Sequence, residues 1–330
     1  MTPTRTPGAD PAPSTLMGAG WQPRARAHAE EIGTIWGDFG VRSEVDPLTA
    51  VMLTWPGDDL AFDEAPADML MHARPDLARM REQVLGVAEA YASRGIAVQW
   101  LRPRAGTRGD GKPGAPPNLV FARDLALMTP EGAILARMAT EQRAGEPRLA
   151  AEVLATLGIP ILATPRGKAR FEGPDALWVR PDVVMVAVGR RTNAEGYACV
   201  RRVLADQGVR CLKVAVWWKV QHLLGTVNLV DNDLVALLWP TVGVLRTLAE
   251  LGIRAMDLSA DRTLREELSA GRAHNFVTLA PRVILMPAGN PRTRAVLEAE
   301  GVEVIERDVS EYLKAAGGIG CLTGVLGRRA

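Results

Sequence analysis

A unit of about 50 residues recurs along this chain from residue 117 onward, and it limits the available folds more than any other feature of the sequence. Each copy has a polar residue near the start of a short strand. A tight turn, a second apolar strand, a helix and a third strand follow. In the clearest copy, Phe171-Glu172-Gly173-Pro174-Asp175 leads into ALWV, and Arg180-Pro181-Asp182 makes the turn. VVMVAV reads as a buried strand. Thr192-Asn193 caps a helix with Tyr197, Val200, Val203 and Leu204 on one face. Gly208 ends that helix, and Cys211–Val216 is the third strand.

The other copies follow the same plan. NLVFARDLALMTPEGAILARM, PRLAAEVLATLG and IPILAT form an earlier unit. His222 opens one with NLVDNDLVALL, TVGVLRTLAELG and IRAMDL; Asn275 opens another with FVTLAPRVILMPAG, PRTRAVLEAEG and VEVIERDV. A fifth is split: GGIGCLTGVL at the C-terminus supplies its first strand, and LTAVMLTWP, a helix around Asp76–Arg94 and IAVQWL supply the rest. The intervals from Asn118 to Glu172, His222, Asn275 and Cys321 are 54, 50, 53 and 46 residues. Such a period predicts a closed ring of αβ units, with the two chain ends sharing one unit and no strand edge left open.

Composition narrows the function classes. A net charge of +1 gives no electrostatic footprint for nucleic acid or a membrane surface. The three cysteines, Cys199, Cys211 and Cys321, lack CxxC spacing, which argues against a disulfide framework and a structural zinc site. No apolar run approaches the ~18–20 residues of a membrane span. Residues 1–25, rich in Pro, Ala and Gly, read as a disordered leader without a secretory core. Residues 26–330 are then one catalytic domain, expected in the cytoplasm.

Equivalent positions of a ring face one central channel, so Glu172, His222 and Cys321 are expected to meet there. The sequences PNLVFARD (117–124), FEGPD (171–175), GRRTNAEG (189–196), QHLLG (221–225) and GGIGCLTG (317–324) carry the chemistry. With these motifs, residues 40–330 resemble the guanidino-group-modifying enzymes: arginine deiminase, dimethylarginine dimethylaminohydrolase and the amidinotransferases. The resemblance implies the five-bladed α/β propeller called the pentein fold. It implies Cys321 as nucleophile, activated as a thiolate by a partner histidine. His222 is implied as acid and base near neutral pH, and Glu172 as its acidic partner. Asp124 would grip the guanidinium, a planar cation suited to carboxylates. Arg143 and Arg191 would bind a substrate carboxylate, with Asn118 and Asp175 among the substrate-contacting residues. Cys199 and Cys211 read as packing residues, and His28, His72 and His274 as structural or surface residues.

The chain departs from the family pattern at two points. Pro174 stands where a glycine is usual, and Leu224 stands where deiminases carry a second guanidinium-gripping Asp. An apolar Leu224 suits a substituted guanidine. The expected function is therefore hydrolysis of an Nω-substituted, dimethylarginine-like substrate to citrulline and an amine. Amidino transfer, arginine deimination and a non-catalytic binding module remain as alternatives. No cofactor or metal is implied. The partner is a small guanidino molecule, a homodimer is left open, and the loop after Trp55-Pro56-Gly57-Asp58-Asp59 is the expected lid.

Overall fold

The computed structural model of the protein describes residues 16–18, 20–103 and 114–329. Five sheets of three strands surround one axis. In chain order, β1 (Leu48–Thr54), α1 (Leu77–Ala92) and β2 (Ala97–Leu101) come first. Then follow β3 (Ala126–Thr129), β4 (Gly132–Leu135), α2 (Glu146–Thr156) and β5 (Ile161–Ala163). The third group is β6 (Ala176–Arg180), β7 (Val183–Ala187), α3 (Ala194–Asp206) and β8 (Arg210–Val214). The fourth is β9 (Val227–Asp231), β10 (Leu234–Leu237), α4 (Val242–Glu250) and β11 (Arg254–Asp257). After a short α5 (Arg265–Ser269) come β12 (Val277–Ala280), β13 (Val283–Pro287), α6 (Pro291–Ala299) and β14 (Glu303–Arg307). Two short helices, α7 (Ser310–Lys314) and α8 (Ile319–Leu322), precede β15 (Gly324–Arg328).

Every sheet repeats one pattern. An antiparallel pair is followed by a helix that returns the chain to a parallel third strand, as β6-β7-β8 illustrates. The chain ends share a sheet ordered β15-β1-β2, with Val51 opposite Val325 and Met52 opposite Gly324. The expected closure is therefore present: a five-bladed α/β propeller, whose fifth blade the two termini build together. First strands of neighbouring blades touch, β15 with β3 and β9 with β12, so they line the axis. The middle strands are the driest; all five residues of Val183–Ala187 are buried. The third strands lie outermost, and β11 is largely exposed.

The helices end alike, and this is what the period records. Gly95, Gly158, Gly208, Gly252 and Gly301 all adopt φ of 67–77°. The next residue is always β-branched (Ile96, Ile159, Val209, Ile253, Val302). Its N–H returns to the carbonyl five residues earlier, as from Val209 to Leu204 at 2.9 Å. This is a Schellman ending with its apolar follower buried, and only glycine enters that left-handed conformation at low cost.

One expectation changes. The polar residue that opens each unit does not lie in the first strand but in the turn before it. Asn118 is in a 3-10 turn, Glu172 and His222 cap such turns, and Cys321 is in α8. Pro117 and Pro174 preset those turns. The leader expected over 1–25 lies outside the described residues at 1–15 and 19. Near its end Arg24 pairs with Glu31, and His28 Nε2 donates to the Glu131 carbonyl at 2.9 Å. Among the described residues no helix is long and apolar enough to cross a membrane.

His274 fixes a pH limit on stability. It is 2% exposed, and its Nε2 donates to the Ala236 carbonyl at 3.0 Å. Burial pushes its pKa down to about 4. Its contribution to stability is thus complete above the unfolded value of 6.5, and it is lost as pH falls toward and through about 4. We expect a loss on the order of 3 kcal/mol across that window. Urea denaturation between pH 7 and 4 checks this, and His274→Gln should flatten that part of the profile.

Candidate active site

The motif glycines hold the axis together. A Cβ on Gly173 would meet the carbonyls of Arg123 and Ala126, and a Cβ on Gly317 would run into the Phe121 ring. The FARD, FEGPD and GGIGC segments therefore touch with no room for a side chain between them. GRRTNAEG locks onto FEGPD in the same way. Thr192 Oγ1 accepts from Glu172 N at 3.3 Å, and Asn193 Oδ1 caps α3 while accepting from Arg170 N.

At the centre Glu172, fully buried, accepts from His222 Nε2 at 2.6 Å and from Ala139 N at 2.9 Å. Arg191 Nη1 lies 3.3 Å from the same carboxylate. Burial alone would raise this carboxyl, but the His222 hydrogen bond and the charges of His222, Arg143 and Arg191 hold it well below the carboxylate range. Burial opposes a charged His222, yet the charge of Asp124 and the Glu172 contact outweigh it and raise the imidazole. Each partner thus favours the charged form of the other.

Asp124, also buried, has unequal oxygens. Oδ2 accepts from Arg143 Nη1 at 2.5 Å, whereas Oδ1 is buried with no partner. Arg143 is 2% exposed; Nε and Nη2 grip Glu146, and Nη2 reaches the Asn118 carbonyl at 3.5 Å. These carboxylates keep it charged despite burial. Asp124, Glu172 and His222 have potential ligand atoms within 4.8 Å of one another, close enough for one cation to meet all three. With Oδ2 bonded to Arg143 and His222 Nε2 to Glu172, the free acceptor is Asp124 Oδ1. One acceptor suits an N–H of an organic cation better than a divalent ion, which needs several.

Cys321 stands in α8 above Gly318. Asn275 grips it twice: its amide N–H donates to Sγ at 3.0 Å, and its Oδ1 accepts from Cys321 N at 3.0 Å. Gly318 and Gly320 have no room for a Cβ against Asn275. Burial pushes the thiol up, and the Asp124 charge adds to this; Asn275 and Arg272 only offset it in part. At rest the imidazole hydrogen-bonds Glu172, and Cys321 Sγ takes its hydrogen bond from Asn275 instead.

A cavity of about 440 Å³ joins these groups. Asn118, Asp124, Arg143, Arg191, His222 and Cys321 all line it, and Glu172 lies behind His222 and Arg191. Asp175 does not line it. Its carboxylate accepts from Leu223 N at 3.1 Å, beside His222, and burial pushes its pKa up to about 6. Its backbone partner, not a substrate, accounts for its place. Asn118 donates to the Met69 carbonyl at 2.7 Å, which ties it to the segment after Asp59. Leu70 and His72 of that segment reach the cavity.

Several cavity residues were missed by the sequence reading. Asn275 had a signal, since it opens the fourth unit counted from Asn118. His72, Lys219, Trp239 and Arg272 had none, because they sit in connecting loops and not at the turn position that the repeat marks. Their backbone is informative in hindsight: Leu70, Trp239, Arg272 and Ala316, all lining the cavity, have φ between 48° and 72°. Non-glycine residues held there are strained, and such strain gathers at functional sites.

Comparisons with known proteins give the chain's family and fold. The family model for arginine deiminase matches residues 59–242. The chain is 30% identical to N(G),N(G)-dimethylarginine dimethylaminohydrolase of Pseudomonas aeruginosa over 251 residues, 76% of this chain and 89% of that protein. A solved structure of the Pseudomonas aeruginosa enzyme with citrulline superposes with TM-score 0.67 at 23% identity, covering 84% and 99% of the two chains. An amidinotransferase of saxitoxin biosynthesis from Microseira wollei gives TM-score 0.71 at 15% identity, covering 88% and 98%. The last two likenesses establish the fold.

The Asn275 grip on Cys321 gives a direct test. A hydrogen bond to a charged group contributes about 1.5–3 kcal/mol, equivalent to roughly one to two pKa units. Asn275→Ala should therefore displace the pH profile of Cys321 alkylation by iodoacetamide upward by about that much. An unmoved profile would reduce the amide to a backbone brace.

Proposed function

This chain belongs to the arginine deiminase family of guanidino-modifying enzymes, and from that premise we propose that it hydrolyses an arginine-like substrate substituted on a terminal guanidino nitrogen. The observation that carries the reading is Asp124 Oδ1, a buried acceptor without a partner in the wall of the Cys321 cavity. Leaving such an oxygen unpaired costs free energy, and a guanidinium N–H satisfies it with opposite charge.

The chemistry follows from the charges. Burial and the Asp124 charge push the thiol up; the entering cation offsets the Asp124 part and adds its own positive charge, so Cys321 releases its proton to solvent and becomes nucleophilic. The thiolate attacks the guanidinium carbon and forms a C–S bond. His222, held as imidazolium by Glu172 and Asp124, protonates the departing amine as its C–N bond breaks. A covalent thiouronium remains. Neutral His222 then removes a proton from water, the hydroxide oxygen adds to the carbon, the C–S bond breaks with its electron pair on sulfur, and the remaining O–H proton passes to solvent as the C=O forms. The products are an amine, a ureido compound such as citrulline, and the regenerated thiolate.

The two expected carboxylate-binding arginines take separate parts. Arg191 contacts Glu172 through Nη1 alone, at 3.3 and 3.4 Å from its two oxygens, and it lines the cavity, so it is the one we assign to the substrate carboxylate. Arg143, committed to Glu146 and Asp124, orients Asp124. Leu224 lines the cavity and gives an alkylated amine an apolar neighbour, where a deiminase would place a second carboxylate. Amidino transfer is the second reading. The His72–Arg272 contact at 2.9 Å joins the segment after Asp59 to the loop after α5, and a closed gate would exclude water in favour of an amine.

The test is incubation with free and Nω-methylated arginines, following ureido product and released amine with and without an added acceptor amine. Cys321→Ser should reduce turnover by at least about a thousandfold while substrate still binds, because the hydroxyl is scarcely ionised near neutral pH. Residual activity near wild type would remove Cys321 from the chemistry. Arg191→Ala should lower kcat/KM for the amino acid by roughly ten- to a hundredfold, the effect of one lost charge-assisted bond. A decarboxylated analogue should be much less affected; if it is the better substrate of the wild type, the carboxylate assignment fails.

A further inference from the structure

We propose that the cavity is built for a guanidino acid whose α-nitrogen is acylated by an apolar or aromatic group, as in an Nα-acyl arginine or the C-terminal arginine of a peptide. This rests on the reading above, in which Asp124 holds the guanidinium and Arg191 the carboxylate.

Two independent observations carry it. The first is charge. Among the described residues lining the cavity, Asp124 is the one carboxylate, whereas Arg191, Lys219 and Arg272 all bring positive charge. Once the guanidinium occupies Asp124, an α-ammonium would lie among three cations with no acid in the wall to pair with it. Acylation removes that charge and leaves an amide.

The second observation is an aromatic wall that the hydrolytic chemistry does not use. Trp239 lines the same cavity as Cys321. Its ring meets Trp217 edge-on at 5.6 Å, Trp217 meets Trp218 at 6.0 Å, and Lys219 Nζ lies 5.0–5.3 Å from the Trp217 and Trp218 ring centres. All three indoles are partly exposed, 36%, 64% and 39% for Trp217, Trp218 and Trp239. Trp239 is also held against its own backbone preference. Its φ is 49°, and its N–H donates to Ser259 Oγ at 3.0 Å, which Asp257 fixes in turn. A bulky residue kept in the left-handed region at a cavity wall is a placed feature. An exposed indole takes an apolar or planar group against its face. The cavity volume lies within the ~300–1,000 Å³ of sites for larger ligands.

The experiment compares three compounds with one leaving group: Nω-methyl-L-arginine, its Nα-benzoyl derivative, and a dipeptide with phenylalanine on its α-nitrogen. We expect kcat/KM to favour an acylated compound by at least about tenfold. The benzoyl and dipeptide arms show whether small acyl amino acids or peptide ends are the source. Trp239→Ala should remove most of that preference and Trp239→Phe should retain it. If Trp239→Ala fails to fold, Trp217→Ala gives the same readout. Preference for the free amino acid, or a preference that Trp239→Ala leaves unmoved, overturns the inference while the hydrolase reading stands. If none of the three is turned over, the hydrolase reading falls, and tryptophan fluorescence decides the subsite separately. Saturable quenching by the benzoyl compound, at concentrations where the free amino acid gives none, supports it; no quenching by either acylated compound overturns it.

Discussion

Ionised carboxylates buried at the end of a set of strands are costly unless each is matched by a cation or by N–H donors, and the centre of this protein is arranged around that requirement. Glu172 is matched by His222, Arg191 and the Ala139 N–H. Asp124 is matched on one oxygen by Arg143 and unmatched on the other. The incomplete match is where a cationic ligand gains. Burial, and after it the Asp124 charge, pushes the Cys321 thiol up; in the proposed function, the cation that completes the balance removes the second of these.

The propeller makes this arrangement possible because every blade delivers its turn residue to the same axis. Asn118, Glu172, His222, Asn275 and Cys321 come from five blades, yet the first-strand contacts and the motif glycines bring their turns together. Such contacts leave little freedom for side-chain replacement. Gly173 and Gly317 are as necessary to the site as the polar groups, since a Cβ at either would push two of the motifs apart.

Much of this was legible in the chain. The period, the closure of the ends and the meeting of Glu172, His222 and Cys321 follow from spacing and apolar pattern, since strand alternation and helix endings depend on nearby residues. The Schellman endings show why: glycine followed by a β-branched residue, five positions after a Leu or Tyr, is a purely local instruction. The site was legible only in part. Asn275 was visible as a repeat position, but its grip on the thiol was not. Asp175 sat in a motif and pointed to substrate, whereas its carboxylate is occupied by the Leu223 N–H.

The sequence by itself determined which elements form, in what order, and which turn residues face the axis, because these depend on φ preferences, capping and the hydrophobic period. Only the tertiary structure decided the charge of each group and the shape of the cavity. The state of Cys321 depends on Asp124, 197 positions away in the chain, and on how deeply both are buried. The partner of Arg143 depends on which carboxylate lies nearer after packing. The wall formed by Lys219, Trp239 and Arg272 comes from connecting loops away from the turn position that the repeat marks, and their meeting is decided by how the blades pack. Coulomb interactions and burial act through space rather than along the chain, so no local pattern encodes them.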